Sequence, residues 1–367
     1  MSVPVPVRPR TRWRFTVLFG IAGALVVGIV VLAFVWPAAT AKARDLPVGL
    51  SGPTAQVDAL KAAIAKQETD PFAFATVSTR ADAVRQIRER RLYGAILLGD
   101  EPEVLTSSAA STASNQVLRG VATQLQAQVS ARAIAGLQQA IVATAASSAA
   151  AGAPTPAATG TVPAVKVTDV VALSSRDATG AGLAAAGFPL VLGGMLGGVL
   201  VSFLVVGPMR RIVALLVYGV AAGGIVVLVL QTWLGILQRD PVLNAAAFGL
   251  AMAATAAIVS GCNALLGSPG IGVGAVISLL IGNPISGATL PYQFIAAPWG
   301  EVGQWFVPGA ASSLVRSLSY FPDADVSKQW LVLGVWTLAG FVLTIAGHFR
   351  DRSPAALPAS ELEPAGA

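Results

Sequence analysis

Proteins do chemistry mainly with histidine, cysteine, paired carboxylates and bound ions, and few of these stand together here. The chain has one cysteine, Cys262, inside an apolar stretch, and one histidine, His348, where the last apolar run meets Arg350 and Arg352. A lone thiol makes no disulfide within the chain and no cysteine metal site, and His348 at such a boundary reads as an interfacial residue rather than a ligand or base. The glycines of Gly270-Ile271-Gly272-Val273-Gly274 could be mistaken for a dinucleotide loop, but they sit in an apolar run with no strand ahead of them. Neither a G-x-x-x-x-G-K-[ST] phosphate loop nor an H-E-x-x-H or G-x-S-x-G arrangement occurs. The expectation is a protein that is not an enzyme, with no catalytic residue, no cofactor and no metal.

The elements that would hold any site are those of a membrane protein. Of 367 residues, 54% are hydrophobic and 11% charged, with a mean hydropathy of +0.70, where a soluble domain carries about 25% charged residues. The net charge of +6 comes without a basic stripe interleaved with aromatics, so nucleic acid is not expected as a partner. The lipid bilayer is. Phe15 to Trp36 is an uncharged run long enough for about 30 Å of hydrocarbon, and it follows Arg8, Arg10, Arg12 and Arg14. Ala41-Lys42-Ala43 resembles a signal-peptide cleavage site, but a signal core runs to about 7–15 residues, so a retained anchor is expected. Further spans are read at Leu183 to Val206, Ile212 to Leu237, Val242 to Leu265, a weaker Leu266 to Gly282, and Trp330 to Gly347, none containing Asp, Glu, Lys or Arg. Arg210 and Arg211 follow the second span and Arg350 and Arg352 the last; six crossings, not five, put both pairs on the side of the N-terminal arginines.

The chain therefore divides into a cytoplasmic basic N-terminus (1–14), a transmembrane helix (15–36), an extracytoplasmic α/β domain with a long helix and an Ala/Ser/Pro linker (37–182), transmembrane helices two to five (183–282), an extracytoplasmic aromatic and Pro/Gly-rich loop (283–329), transmembrane helix six (330–347) and a cytoplasmic tail (348–367). Tyr292, Phe294, Trp299, Trp305, Phe306 and Tyr320 suit the 283–329 loop to lipid headgroups or to a packed cap. In the spans, Gly193 with Gly197, Gly194 with Gly198, and Gly219 with Gly223 make small-residue faces for close helix packing, within the chain or between two copies, so a homodimer is a candidate state. Gln231, Asn244, Ser260, Asn263 and Ser278 are the notable polar side chains there and read as interhelical hydrogen-bonding groups, while the lack of an ionisable residue argues against coupling to an ion gradient.

In the external domain, strands are predicted at Pro47 to Leu50, Phe72 to Val77, Tyr93 to Leu98, Glu103 to Thr106 and Val165 to Leu173. Val57, Leu60 and Ile64 mark one helix. Thr79 with Asp82 opens a second, which buries Val84 and Ile87 and leaves Arg85, Arg88, Glu89 and Arg90 in water. Val117, Val121, Leu125 and Val129 stripe a long third helix from about Asn115, and Ala143 to Ala164 reads as a low-complexity linker.

One span, a large external α/β domain, then five spans and a basic tail is an order of parts that resembles the permeases of the ABC type-2 exporter class, most closely their phage-infection-protein branch of Gram-positive and actinobacterial membranes. LPVGLSGP (Leu46 to Pro53), RRLYGAILLGD (Arg90 to Asp100), SSRDATGAG ahead of the second span, and the stretch Asn283 to Phe321 with Asn283-Pro284, Pro298-Trp299-Gly300 and Pro308-Gly309 carry the likeness. The resemblance implies a membrane subunit that exports an apolar or amphipathic envelope compound, with ATP hydrolysed on a separate ATP-binding subunit; here the expected docking points for that subunit are the Arg-rich N-terminal segment and Arg210 and Arg211. Exporters of that class grip the ATPase through a cytoplasmic helix after the second span, where this chain has only Gly207 to Arg211 (GPMRR). That departure favours the alternative, a non-transporting scaffold or receptor whose external domain binds a partner.

Overall fold

The computed structural model describes residues 13–65, 71–151 and 163–350. Arg8, Arg10, Arg12 and Arg352, part of the orientation argument, lie outside the described residues, as does most of the end of the expected linker. The chain opens with α1 (Trp13–Ala39), whose Ile21–Ala39 stretch is long and apolar enough to cross a membrane. Little packs against it; Phe34 meets Phe188 edge-on at 6.0 Å. A surface of Leu25, Val27, Ile29 and Leu32, each more than half exposed, suits hydrocarbon and not water.

An α/β domain follows: β1 (Leu46–Ser51), α2 (Thr54–Ile64), β2 (Phe72–Thr76), α3 (Arg80–Arg88), β3 (Gly94–Leu97), β4 (Glu103–Thr106), α4 (Thr112–Ala151) and β5 (Lys166–Asp169). The five strands stand in the order β2-β1-β3-β4-β5, with β3 and β4 antiparallel and the other neighbours parallel. Parallel strands need helices on both faces, which is why β1 reads apolar from Leu46 to Leu50. On one face Val48, Leu50 and Ile96 pack with Leu60 and Ile64 of α2 and with Leu118, Ala122 and Leu125 of α4; on the other, Ala95 and Leu105 meet Ala83 and Ile87 of α3. The α4 stripe thus covers the sheet, and α3 starts as its sequence predicts, Thr79 Oγ1 accepting from Asp82 N at 3.1 Å. The linker expectation is corrected in part: α4 stays helical to Ala151, because alanine carries the highest helix propensity and nothing before residue 152 breaks the run.

The rest is a bundle: α5 (Ala181–Leu204), α6 (Pro208–Val227) widening into a π-helical turn (Leu228–Trp233), α7 (Pro241–Leu266), α8 (Ser268–Ala275) widening over Val276–Gly282, then α9 (Trp299–Gly303), α10 (Val307–Tyr320) and α11 (Ser327–Arg350). Among the described residues five helices are long and apolar enough to cross a membrane, α1, α5, α6, α7 and α11, so this is a helical, membrane-embedded protein. The expected fifth span is shorter, eight residues of α8 plus seven of the wider turn, about 22 Å at about 1.5 Å per residue. It runs back along α7, Gly270 lying against Cys262 and Gly274 against Val259.

The centre of the bundle is α7, buried from Ala253 through Cys262, with α5, α6, α8 and α11 around it. Lipid gives helices no hydrophobic reason to associate, so close approach of small residues must hold them. Gly194 and Gly198 of α5 face Thr255 and Ala256, Gly219 and Gly223 of α6 face Gly249 and Ala245, and Gly340 of α11 faces Ala257. Between the two choices left by the sequence for 283–329, the packed cap is the one realised: α10 buries Val307, Ala310, Leu314 and Val315 against α7 and α11.

Candidate functional site

Two arginines carry several of the polar contacts between domain and bundle. α3 ends at Arg88, and Arg90 then takes a left-handed backbone (φ 57°), its N–H donating to Ile87 O at 3.0 Å. A side chain in that conformation costs about 1–2 kcal/mol, and it redirects Arg90 from solvent to α10. There Nη1 donates to Ser313 O (2.9 Å), Ser313 Oγ (3.3 Å) and Ser317 Oγ (2.7 Å), while the guanidinium lies 5.4 Å from the centre of the Phe321 ring. The expectation that Arg90 is solvated is therefore corrected: helical periodicity stops at Arg88, and the left-handed turn sets a new direction.

Arg316 comes from the other side, on α10. It donates from Nη1 to Ala109 O (3.1 Å) and from Nη2 to Ala288 O (3.2 Å), tying the β4–α4 connection to the 283–291 loop. Burial pulls its guanidinium down to about 10, helped by the like charge of Arg90, and burial likewise lowers Arg90. Arginine is not deprotonated in proteins at neutral pH, so both are cations. Tyr93, next to β3, donates to Gln293 Oε1 at 3.1 Å, and burial pushes its phenol up. Burial does the same to Tyr292, with Glu301 adding to the effect.

Three cavities meet along this seam. A polar one of about 480 Å³ lies between the domain and the α9–α11 region, walled by Glu89, Arg90, Tyr93, Tyr292, Glu301 and Lys328 among others. A small one of about 50 Å³ lies behind it, sharing Arg90, Tyr93 and Tyr292 and adding Arg316. The third is an apolar crevice of about 70 Å³ between α5, α7 and α10, lined by Leu190, Phe248, Met252 and Val315, and it shares Ala288, Ser312 and Arg316 with the small cavity. The larger polar cavity faces Pro47 and Tyr93, at the starts of β1 and β3, whereas dinucleotide sites of parallel sheets open at the carboxyl ends of the strands.

The residues singled out from sequence have other placements. Gly193 and Gly197 lie against Met252 and the Tyr218 ring, and the hydroxyl of Tyr218 donates to Gly193 O at 2.5 Å. With Gly194, Gly198, Gly219 and Gly223 they are occupied inside the chain, so pairing of two copies would need another surface. Arg211 turns back to cap α5, donating to Val205 O (2.8 Å) and Ser202 O (3.0 Å), while Arg210 is exposed. Asn244 donates to Gln231 Oε1 (2.9 Å) and accepts from Ser319 Oγ (3.3 Å), an interhelical use, whereas the buried Ser260 hydroxyl finds no partner. Cys262 is a buried free thiol. Among the described residues, no group of three His, Cys, Asp or Glu side chains could hold a metal ion.

Sequence reasoning missed Arg316, Tyr93 and the redirection of Arg90. One signal was available: from Asn283 to Phe321 the only charged residues are Glu301 and Arg316, and a lone cation in so apolar a stretch needs a reason. A comparison with protein-family models, curated proteins and solved structures finds no match to this chain.

Proposed function

We infer that this chain is a multi-pass protein of the bacterial plasma membrane, with both termini cytoplasmic and the α/β domain outside, and that it serves as the membrane subunit of an exporter for an apolar or amphipathic envelope compound. The observation that carries this reading is the apolar crevice between α5, α7 and α10, which offers a compound dissolved in the bilayer a place directly beneath the junction with the domain. Energy would come from a separate ATP-binding subunit, since the chain has no phosphate loop of its own.

Two lines support the orientation. Arg14 at the start of α1, Arg210 and Arg211 in the first turn of α6, and Arg350 at the end of α11 fall on one side if six segments cross. The contacts agree with that count. The turn before α7 touches the domain side, Ser174 Oγ donating to Gly235 O at 2.7 Å, and the loop after Gly282 touches it again, Lys42 N donating to Phe294 O at 3.1 Å. A chain that goes down α7 and comes back to the same side needs Ser268–Gly282 as its return.

Copurification in mild detergent tests the exporter reading. A nucleotide-hydrolysing partner is expected with the full-length protein, and deletion is expected to change the lipid-soluble content of the outer envelope; absence of both overturns it. One observation favours the second reading, a scaffold or receptor: only Val205, Val206 and Gly207 join α5 to α6, and Arg211 is spent on capping, which leaves little for an ATPase to grip. For a scaffold, photo-crosslinkers on the domain surface capture a specific envelope partner while export is unchanged by deletion.

A further inference from the structure

We propose that the junction of the α/β domain with the membrane helices binds a lipid with an anionic headgroup, its acyl chain in the α5–α7–α10 crevice and its phosphate or carboxylate between Arg316 and Arg90. The inference shares with the exporter reading the premise that the crevice takes an apolar chain, and it does not need export.

The charges are the first argument. Two guanidinium groups line one small cavity, yet among the described residues no carboxylate forms an ion pair with either. Their acceptors are neutral: backbone carbonyls for Arg316, a carbonyl and two serine hydroxyls for Arg90, whose Nε and Nη2 donors have no acceptor among the described residues. The acidic groups nearby are engaged or stand off. Asp177 acts on Arg316 through space, but it accepts from the N–H groups of Gly182 and Leu183 and not from the guanidinium; Glu89 pairs with Arg85 and Arg91, and Glu301 and Asp325 belong to the wall of the larger cavity only. Half-buried cations that no carboxylate contacts repel one another, so an anion placed between them relieves that cost.

Shape is the second. The small cavity, about 50 Å³, exceeds the roughly 10–15 Å³ that one water requires and can admit a phosphate or carboxylate. The larger cavity beyond it leaves room for the remainder of a headgroup. On the other side Arg316 closes the apolar crevice. A free anion would account for the arginines and leave the crevice without a purpose; a neutral lipid would do the reverse. An anionic lipid uses both.

The test is a titration of the full-length protein, purified in a mild nonionic detergent, with dioleoyl phosphatidylglycerol, dioleoyl phosphatidylcholine or inorganic phosphate, read by native mass spectrometry and thermal melting. Phosphatidylglycerol is expected to be retained and to raise the melting temperature, phosphatidylcholine to bind about tenfold more weakly or less, and phosphate to have no effect at matched concentration. Arg316→Gln and Arg90→Gln should each weaken phosphatidylglycerol about tenfold. Gly187→Leu should weaken it too: Gly187 is part of the crevice wall, and a Cβ added there meets only Ala288, at 4.0 Å, so the longer side chain has the crevice to grow into. Lys61→Gln, at an exposed cation on α2 away from all three cavities, should not. Equal binding of the two lipids, or no lipid binding, overturns the proposal, and a phosphate shift untouched by Gly187→Leu marks a free-anion site and overturns it as well. Should Arg316→Gln fail to fold, Arg90→Gln and Gly187→Leu carry the test. Lipid preference with neither a nucleotide-hydrolysing partner nor an effect of deletion on the envelope sinks the exporter reading alone; a partner and an envelope effect without lipid preference sink this one alone.

Discussion

Asp177 is buried just ahead of α5, and its carboxylate accepts from Gly182 N at 2.9 Å and Leu183 N at 3.1 Å, so it satisfies donors that the first helical turn cannot. Asp177→Ala should destabilise the protein by about 1 kcal/mol, with Asp177→Asn losing less, as read from detergent melting curves. Glu103 ties three elements together. Arg80 donates to it from Nε (2.6 Å) and Nη2 (3.0 Å), and Thr168 Oγ1 donates at 2.6 Å. The Arg80 hydrogen bonds hold its carboxyl below the ordinary value of 4.5. A lowered folded-state value means stability that is full above the unfolded value and lost as pH falls through the folded one. The melting temperature of the parent protein should therefore exceed that of Glu103→Gln at neutral pH, and the gap should narrow once the pH drops below about 4.5. A gap independent of pH would contradict this. The Thr79 cap was legible in the sequence because cap and partner are three residues apart. Arg90 was not, because its partners Ser313 and Ser317 lie more than 220 residues away and its direction depends on one left-handed backbone angle.

Elements with an uninterrupted pattern were read well: all five strands lie within a residue or a few of their expected bounds, since alternation and apolar runs are local signals. α10 was taken for loop. Its Pro308 and Gly309 look like breakers, yet proline is at home in a first helical turn and Gly309 is required by the close passage of Gly303. The glycine faces were visible as spacing, but which helix fills them was not. On α6 the two neighbours Gly223 and Gly224 separate spacing from contact. A Cβ at Gly223 overlaps Ala245 O, whereas one at Gly224 meets nothing within 4 Å. Gly223→Leu should cost about 1–3 kcal/mol or more and broaden the gel-filtration profile after extraction, while Gly224→Leu should elute and melt like the parent.

For the molecule as a whole, the proposed topology puts Asp100 and Arg210, both exposed, on opposite sides of the membrane. In a Cys262→Ala background, a membrane-impermeant maleimide applied to intact cells should label Asp100→Cys and spare Arg210→Cys until the cells are broken. The reverse pattern would invert every assignment of side. The position of α7 also bears on how the protein is made. Synthesis delivers α5 and α6 into the bilayer before the helix that fills their glycine troughs exists, so for the time needed to translate some thirty to sixty further residues, about seconds at cellular rates, both troughs stand open to passing helices. A nascent chain stalled after residue 240 is thus an adhesive species, prone to capture by the insertion machinery or by membrane quality control, and chain order itself fixes α7 as the step that ends the hazard.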